Sequence, residues 1–206
     1  MARTEAMEIQ EAAVLGAGVM GAAIAAHLAN AGVKVHLLDI VPDGAEDRDT
    51  LARTAIQKML KQEPAPFTHK RNAKRVLPGN LTDHLDRLEG CDWIVEAVVE
   101  RLDIKQDLYA RVDQARKPGS VVSSNTSTIP LASLVDGMPE SFRRDFLITH
   151  FFNPPRYMRL LELVPGEHTR PEALEKIRQF ADRGLGKTCI DCNDTPGFVA
   201  NRVGVY

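Results

Sequence analysis

The chain has 206 residues, 44% of them apolar and 26% charged, with a formal net charge of −2 at pH 7. That length favours one domain, with room for no more than a stub of a second, and the composition supports a buried core. The charge leaves no basic field for nucleic acid or an anionic membrane, and no run of 18 apolar residues offers a membrane span.

The opening "MARTEAMEIQ" has the pattern of neither a signal nor a transit peptide. "EAAVLGAGVMGAAIAAHLANAGVKVHLLDI" then reads as strand, glycine turn, helix, turn and strand, one βαβ unit. Residues 12–15 are the short apolar run of a strand covered on both faces. Ile24 and Leu28 fall at helical spacing, Asn30 and Gly32 stop the helix, and 33–38 form the second strand. A charged helical segment follows over 45–61, with Leu51, Ala55 and Met59 on one face. "EPAPF" at 63–67 breaks it, and a basic helical stretch is expected at 70–75.

"WIVEAVV" (93–99) predicts a buried strand, and 104–116 an amphipathic helix with Ile104, Leu108 and Val112 in register. Further strands are expected at 120–124, 144–152 and 159–165. A late helix runs from Pro171 to a stop at Gly184, with Leu174, Ile177 and Phe180 on one face. The alternation implies a Rossmann-type, doubly wound α/β fold, with a mostly parallel sheet and a helical insertion after the second strand. "CIDC" (189–192) lacks a second ligand pair and closes a strand rather than opening a helix, so packing is the expectation. Cys91, Cys189 and Cys192 are read as reduced thiols of a cytoplasmic protein. The final "PGFVANRVGVY" reads as the opening turns of a helix. An apolar ending of this kind is expected either to continue into further chain, the preferred reading, or to pair with a second copy.

Gly16, Gly18 and Gly21 form G-x-G-x-x-G, a weak pattern alone, because glycines also serve ordinary turns. Here the motif follows a strand and opens a helix, and Asp39 ends the next strand 18 residues beyond Gly21. Gly16 permits the tight turn, Gly18 lets backbone approach a pyrophosphate, and Gly21 lets the helix pack on the strand. With Val19 and Met20 between them, they make a phosphate-binding stretch at a helix N-terminus. Asp39 can accept both ribose hydroxyls and would repel a 2′-phosphate, and no Arg follows it, which favours NAD over NADP.

Glu162 is the only charge in the apolar "LLELVP", so it either has a partner or faces water from an edge strand. His150, in "ITHFFNPP", ends the preceding strand, where open α/β sheets bind ligands. A structural histidine fits as well, but a nearby carboxylate would fix its tautomer and suit it to general-base work. "SSNTST" (123–128) is either a plain turn or cap, or a set of groups orienting a substrate hydroxyl or nicotinamide.

At these residues the chain resembles the L-3-hydroxyacyl-CoA dehydrogenase family over nearly its whole length. The resemblance rests on six ordered stretches: the glycine-rich unit, "DWIVEAVVERLDIKQDLYARVD", "SSNTS", "THFFNPP", "LLELVP" and "DTPGFVANR". "LDIVPD" and "KQEPAPF…RVLPGNL" look closest to long bacterial members fused to an enoyl-CoA hydratase-like region. The resemblance implies oxidation of a 3-hydroxyacyl-CoA to a 3-ketoacyl-CoA in fatty-acid β-oxidation, with His150 as base and Glu162 orienting it. Ser127 would bind the substrate oxygen and Asn201 would help position the substrate. Glu100, Lys105 and Asn125 would lie by the cofactor, and Asn153 would shape the loop around the base.

The resemblance further implies an NAD-binding domain over 1–195 and, at 196–206, the start of a linker or helix into a C-terminal helical domain. The full-length protein would then be a homodimer or a multifunctional chain. Lys58, Lys61, Lys70, Arg71, Lys74 and Arg75 form either a CoA-phosphate contact or, the commoner case, a solvated charged face. Two competing functions stay open: a dehydrogenase of another hydroxy acid, and a non-catalytic NAD-binding module.

Overall fold

The structure, a computed structural model, describes residues 9–203. Its core is the alternation expected of short buried strands and amphipathic helices. The first βαβ unit is β1 (Glu11–Leu15), α1 (Val19–Asn30) and β2 (Lys34–Asp39). The insertion follows, with α2 (Thr50–Met59) and a 3₁₀ turn (Lys70–Arg75), and leads into an edge strand β3 (Val76–Asn80). A second 3₁₀ turn (Leu85–Gly90) precedes β4 (Trp93–Glu96), α3 (Leu102–Ala115) and β5 (Val121–Ser124). Short helices α4 (Leu131–Leu134) and α5 (Glu140–Arg144) lead to β6 (Phe146–Phe151) and β7 (Leu160–Pro165). The last elements are α6 (Pro171–Arg183), β8 (Thr188–Asp191) and α7 (Ala200–Val203).

The eight strands form one sheet in the order β3-β2-β1-β4-β5-β6-β7-β8. β1 to β6 run parallel, whereas β7 pairs antiparallel with β6 because the link between them is too short for a crossover. β8 is parallel to β7, so the first residues of both lie at the edge where β1 to β6 end. α1, α2 and α6 cover one face of the sheet, and α3, α4, α5 and the second 3₁₀ turn cover the other. No helix among the described residues is long and apolar enough to cross a membrane.

Several expectations change in detail. The strand expected over 93–99 ends at Glu96, because Val98 N–H turns back to Glu96 Oε1 at 2.8 Å. The buried face of α3 is Lys105, Leu108, Tyr109 and Val112 rather than one built on Ile104, which is exposed. In α2, Ala52 and Ile56 join Ala55 and Met59 in the core, while Leu51 faces outward. In α6 the core residues are Ala173, Ile177 and Ala181, with Leu174 and Phe180 half-buried. The helix expected at 70–75 is a 3₁₀ turn. All three cysteines carry free thiols. Residues 1–8 and 204–206, which begin and end the expected domain boundaries, lie outside the described residues.

Candidate active site

β1 ends at Leu15 and hands the chain to a turn that only glycine can make. Gly16 has φ +105°, and a Cβ there would stand 2.5 Å from the Ala97 carbonyl oxygen. A Cβ on Gly21 would stand 1.9 Å from Gly16 O, so the start of α1 is packed directly on the turn. Gly18 is the opposite case: a Cβ there meets nothing within 4 Å. No side chain caps α1, and Val19 is exposed, so the first amides of a 12-residue helix face an open approach. Such an approach fits a pyrophosphate.

Asp39 closes the neighbouring strand and ties itself to this turn. Its Oδ2 accepts Ala17 N–H at 2.5 Å and its Oδ1 accepts Ile40 N–H at 2.6 Å. A carboxylate has about four acceptor positions, so lone pairs remain for a ribose diol. The residues present therefore fit the dinucleotide that the sequence predicted.

Beyond the turn lies a cavity of about 220 Å³ whose lining includes Met20, Glu100, Lys105, Asn125 and Ser127, five of the expected site residues. Lys105 is buried, with Nζ 2.6 Å from Glu96 Oε1 and 3.2 Å from Glu100 Oε2. Burial raises the Glu100 carboxyl pKa, but hydrogen bonds from Thr126 and the charge of Lys105 outweigh it and hold it below its usual value. Asn125 Oδ1 accepts Phe151 N–H at 2.9 Å, which ties the end of β5 to the residue after His150. Ser127 is half-buried, and its N–H points to Glu100 Oε1 at 3.3 Å.

His150 and Glu162 stand opposite each other in the antiparallel register of β6 and β7. His150 Nδ1 lies 2.6 Å from Glu162 Oε2, and Glu162 is fully buried. Glu162 Oε1 accepts the N–H groups of Val199 at 3.0 Å and Ala200 at 2.8 Å. With both oxygens serving as acceptors, the His150 Nδ1 position carries the proton and Nε2 is left for chemistry. The Phe152 and Phe198 rings flank the imidazole, with centroids at 4.6 and 5.7 Å. Phe198 holds φ +47° in a buried position just before α7. Asn201 follows Ala200 on α7 and is exposed. It joins the pair through backbone continuity, whereas Ser127 belongs to the neighbouring cavity.

Sequence reasoning passed over Glu96. It is fully buried, and its carboxylate accepts Lys105 Nζ, the Tyr109 hydroxyl and the Ser124 hydroxyl, each at 2.6 Å. Burial and the charge of Glu96 push the Tyr109 phenol well above its usual pKa, so it stays a donor. The signal was present: a lone acid in the apolar run "WIVEAVV", the same anomaly that marked Glu162. Three basic residues of the insertion lie apart from the site. Arg71, Lys74 and Arg75 line a larger cleft of about 640 Å³ with Asn30 and Gly32, at the edge where β2 and β3 begin. That is the far end of the sheet from the glycine turn, which favours a solvated face for those three.

What faces the carboxyl edge suits a nicotinamide dinucleotide and a proton acceptor, the equipment of a nicotinamide-dependent dehydrogenase. The sequence profile described as "3-hydroxyacyl-CoA dehydrogenase, NAD binding domain" matches residues 11–195, and the chain belongs to that family. A Deinococcus radiodurans protein named "Probable 3-hydroxyacyl-CoA dehydrogenase" is 48% identical over 97% of this chain. A Rickettsia felis protein bearing the name of a fatty acid oxidation complex trifunctional enzyme is 43% identical over 97% of it. The crystal structure of 3-hydroxybutyryl-CoA dehydrogenase from Escherichia coli K12 superposes with TM-score 0.81 at 29% identity, over 96% of this chain and 41% of that one. The chain spans 58% of the length of the Deinococcus relative and 28% of the Rickettsia one.

Proposed function

We propose that the protein catalyses the NAD-dependent oxidation of an (S)-3-hydroxyacyl-CoA to the 3-ketoacyl-CoA, with His150 as general base. The observation that carries this reading is the 2.6 Å contact of His150 Nδ1 with buried Glu162, at the edge where the glycine turn opens. Oxidation of a secondary alcohol removes a hydride from carbon and a proton from oxygen. Bound NAD supplies the hydride acceptor. His150 Nε2 takes the hydroxyl proton, and the Glu162 charge stabilises the imidazolium that forms. Ser127 and Asn201 hold the substrate oxygen, so that orientation adds to proton transfer. Gly16, Gly18, Val19, Met20 and Gly21 cradle the pyrophosphate, Asp39 takes the ribose, and Glu100, Lys105 and Asn125 stand by the nicotinamide.

In this reading residues 1–195 are the cofactor domain, and 196–206 lead toward a helical domain that closes over the acyl-CoA. The intact protein then works in the cytoplasm as a homodimer or as part of a multifunctional chain. The test is NADH formation by the intact protein with (S)-3-hydroxybutyryl-CoA, beside free 3-hydroxybutyrate and a His150→Ala variant. Turnover of the thioester, lost by about a thousandfold in the variant, supports the reading. Equal rates in the two proteins contradict the base assignment. NAD binding without turnover of either substrate favours a non-catalytic module.

A further inference from the structure

The stretch between β6 and β7, residues 152–159, carries the chain away from His150 and back toward Glu162. It contains Pro154 and Pro155, which donate no N–H, and its geometry is set partly by contacts from outside itself. Tyr157 and Met158 N–H both turn in to Pro154 O at 3.0 Å. The Arg156 guanidinium and the Tyr157 hydroxyl reach the Ala65 carbonyl of the insertion, at 2.5 and 3.0 Å. The remaining inward carbonyls, Pro155 O and Met158 O, share one donor. Lys187 Nζ meets both, Met158 O at 2.6 Å.

Lys187 reaches that position because of the sheet's reversal. β8 runs with β7, so the residue leading into β8 lies at the catalytic edge, and Thr188 N–H bonds Arg159 O at 2.8 Å. Lys187 is 3% exposed. Among the described residues no carboxylate pairs with it. The titratable groups that act on it are His27 from α1 and the Cys189 thiol of β8, neither of them an anion at neutral pH. Burial lowers its pKa to about 8. A buried ammonium without a counter-ion is costly, so its position needs a compensating use. The compensation is two charge-assisted hydrogen bonds to carbonyls that would otherwise lack partners, and the Phe151 ring 5.7 Å away. Phe151 directly follows His150, and Phe152 packs on its imidazole.

We propose that Lys187 is a positioning residue for the base, its buried ammonium fixing the turn after His150 through the carbonyls of Pro155 and Met158. This rests on His150 being the base, and the test separates the two ideas. In the intact protein, Lys187→Met keeps the length and removes every donor, while Lys187→Arg keeps the charge. Turnover of (S)-3-hydroxybutyryl-CoA, the KM for NAD, and amide exchange across 151–159 are measured for both. Lys187→Met should lower kcat about ten- to a hundredfold, leave the KM for NAD within about twofold, and speed exchange in 151–159 but not in β1 and β2. Lys187→Arg should recover part of both effects.

Unchanged exchange in 151–159 overturns the proposal whatever His150 does. A rise in exchange spread equally over β1 and β2 also overturns it, because that marks a general stabilising role. If Lys187→Met does not fold, Lys187→Arg decides alone: exchange raised in 151–159 but not in β1 and β2 supports the proposal, and an unchanged profile or a rise spread equally over all three overturns it. If His150→Ala is fully active while Lys187→Met still loosens the turn, the functional reading fails and the anchor stands.

Discussion

Two buried glutamates face the same edge of the sheet, and their surroundings give them different work. Glu96 ends β4, and Glu162 lies third in the reversed strand β7; each is fully buried in an apolar strand. Glu96 is satisfied by a lysine, a tyrosine, a serine and a backbone amide. The Tyr109 phenol is held well above its usual pKa and the other partners are donors, so the network is a fixed brace under the cavity. Glu162 holds two backbone amides with one oxygen and an imidazole with the other. Its charge therefore bears on a group that can gain a proton. Burial marks both acids, and under the proposed function the partner decides which one bears on the chemistry.

The largest effect expected from this contrast is on Glu162→Gln. The amide donates to Nδ1, moves the imidazole proton to Nε2 and blocks the base, while its carbonyl still accepts an amide from α7. Turnover should fall about a thousandfold or more, with urea stability changed by only about 1 kcal/mol. A stability loss without a matching rate loss would erase the distinction between the two acids. Glu96→Gln should do the reverse. It leaves buried Lys105 with Glu100 alone, and should cost about 3 kcal/mol of stability, read from urea unfolding, before any specific loss of kcat.

These comparisons belong above pH 6.5, because His27 adds its own acid sensitivity. Burial, reinforced by the Lys187 charge, lowers His27 to about 4 from an ordinary value of 6.5. The folded protein keeps it neutral where the unfolded chain takes a proton. The associated stability is complete above pH 6.5 and is lost as pH falls from there toward 4, to a total of about 3 kcal/mol. His27→Gln should flatten that part of the stability profile; an unchanged profile would place the acid sensitivity elsewhere. The smallest effect concerns cofactor binding. Asp39→Ala should weaken NAD about tenfold in a binding titration and affect folding far less, and unchanged affinity would remove the ribose role.

The glycine turn and Asp39 were legible in the sequence because their geometry is backbone geometry, and few residues satisfy it. His150 and Glu162 were legible as anomalies, one at a strand end and one inside an apolar run. Their pairing depends on the reversal of β7, which shows in the sequence only as a link too short for a crossover. The pairing of Glu96 stayed hidden because its partner Lys105 lies across a loop, on a helix face that apolar periodicity assigned to Ile104. A pattern of apolar residues cannot announce a lysine buried against an acid. β3 was missed for a related reason: "VLPGN" carries a proline and a glycine, which an edge strand tolerates and a central strand does not. Lys187 gave no local signal, since the carbonyls it serves lie some thirty residues away in sequence.

The proposed role of His150 depends on which of its nitrogens holds the proton. The nitrogen-15 resonances of the imidazole in the intact protein, assigned by comparison with His150→Ala, report this directly. The structure predicts a protonated Nδ1 and a bare Nε2 in the neutral ring, exchanged in Glu162→Gln. A neutral ring protonated at Nε2 in the unmodified protein would contradict the assignment of His150 as the base oriented by Glu162.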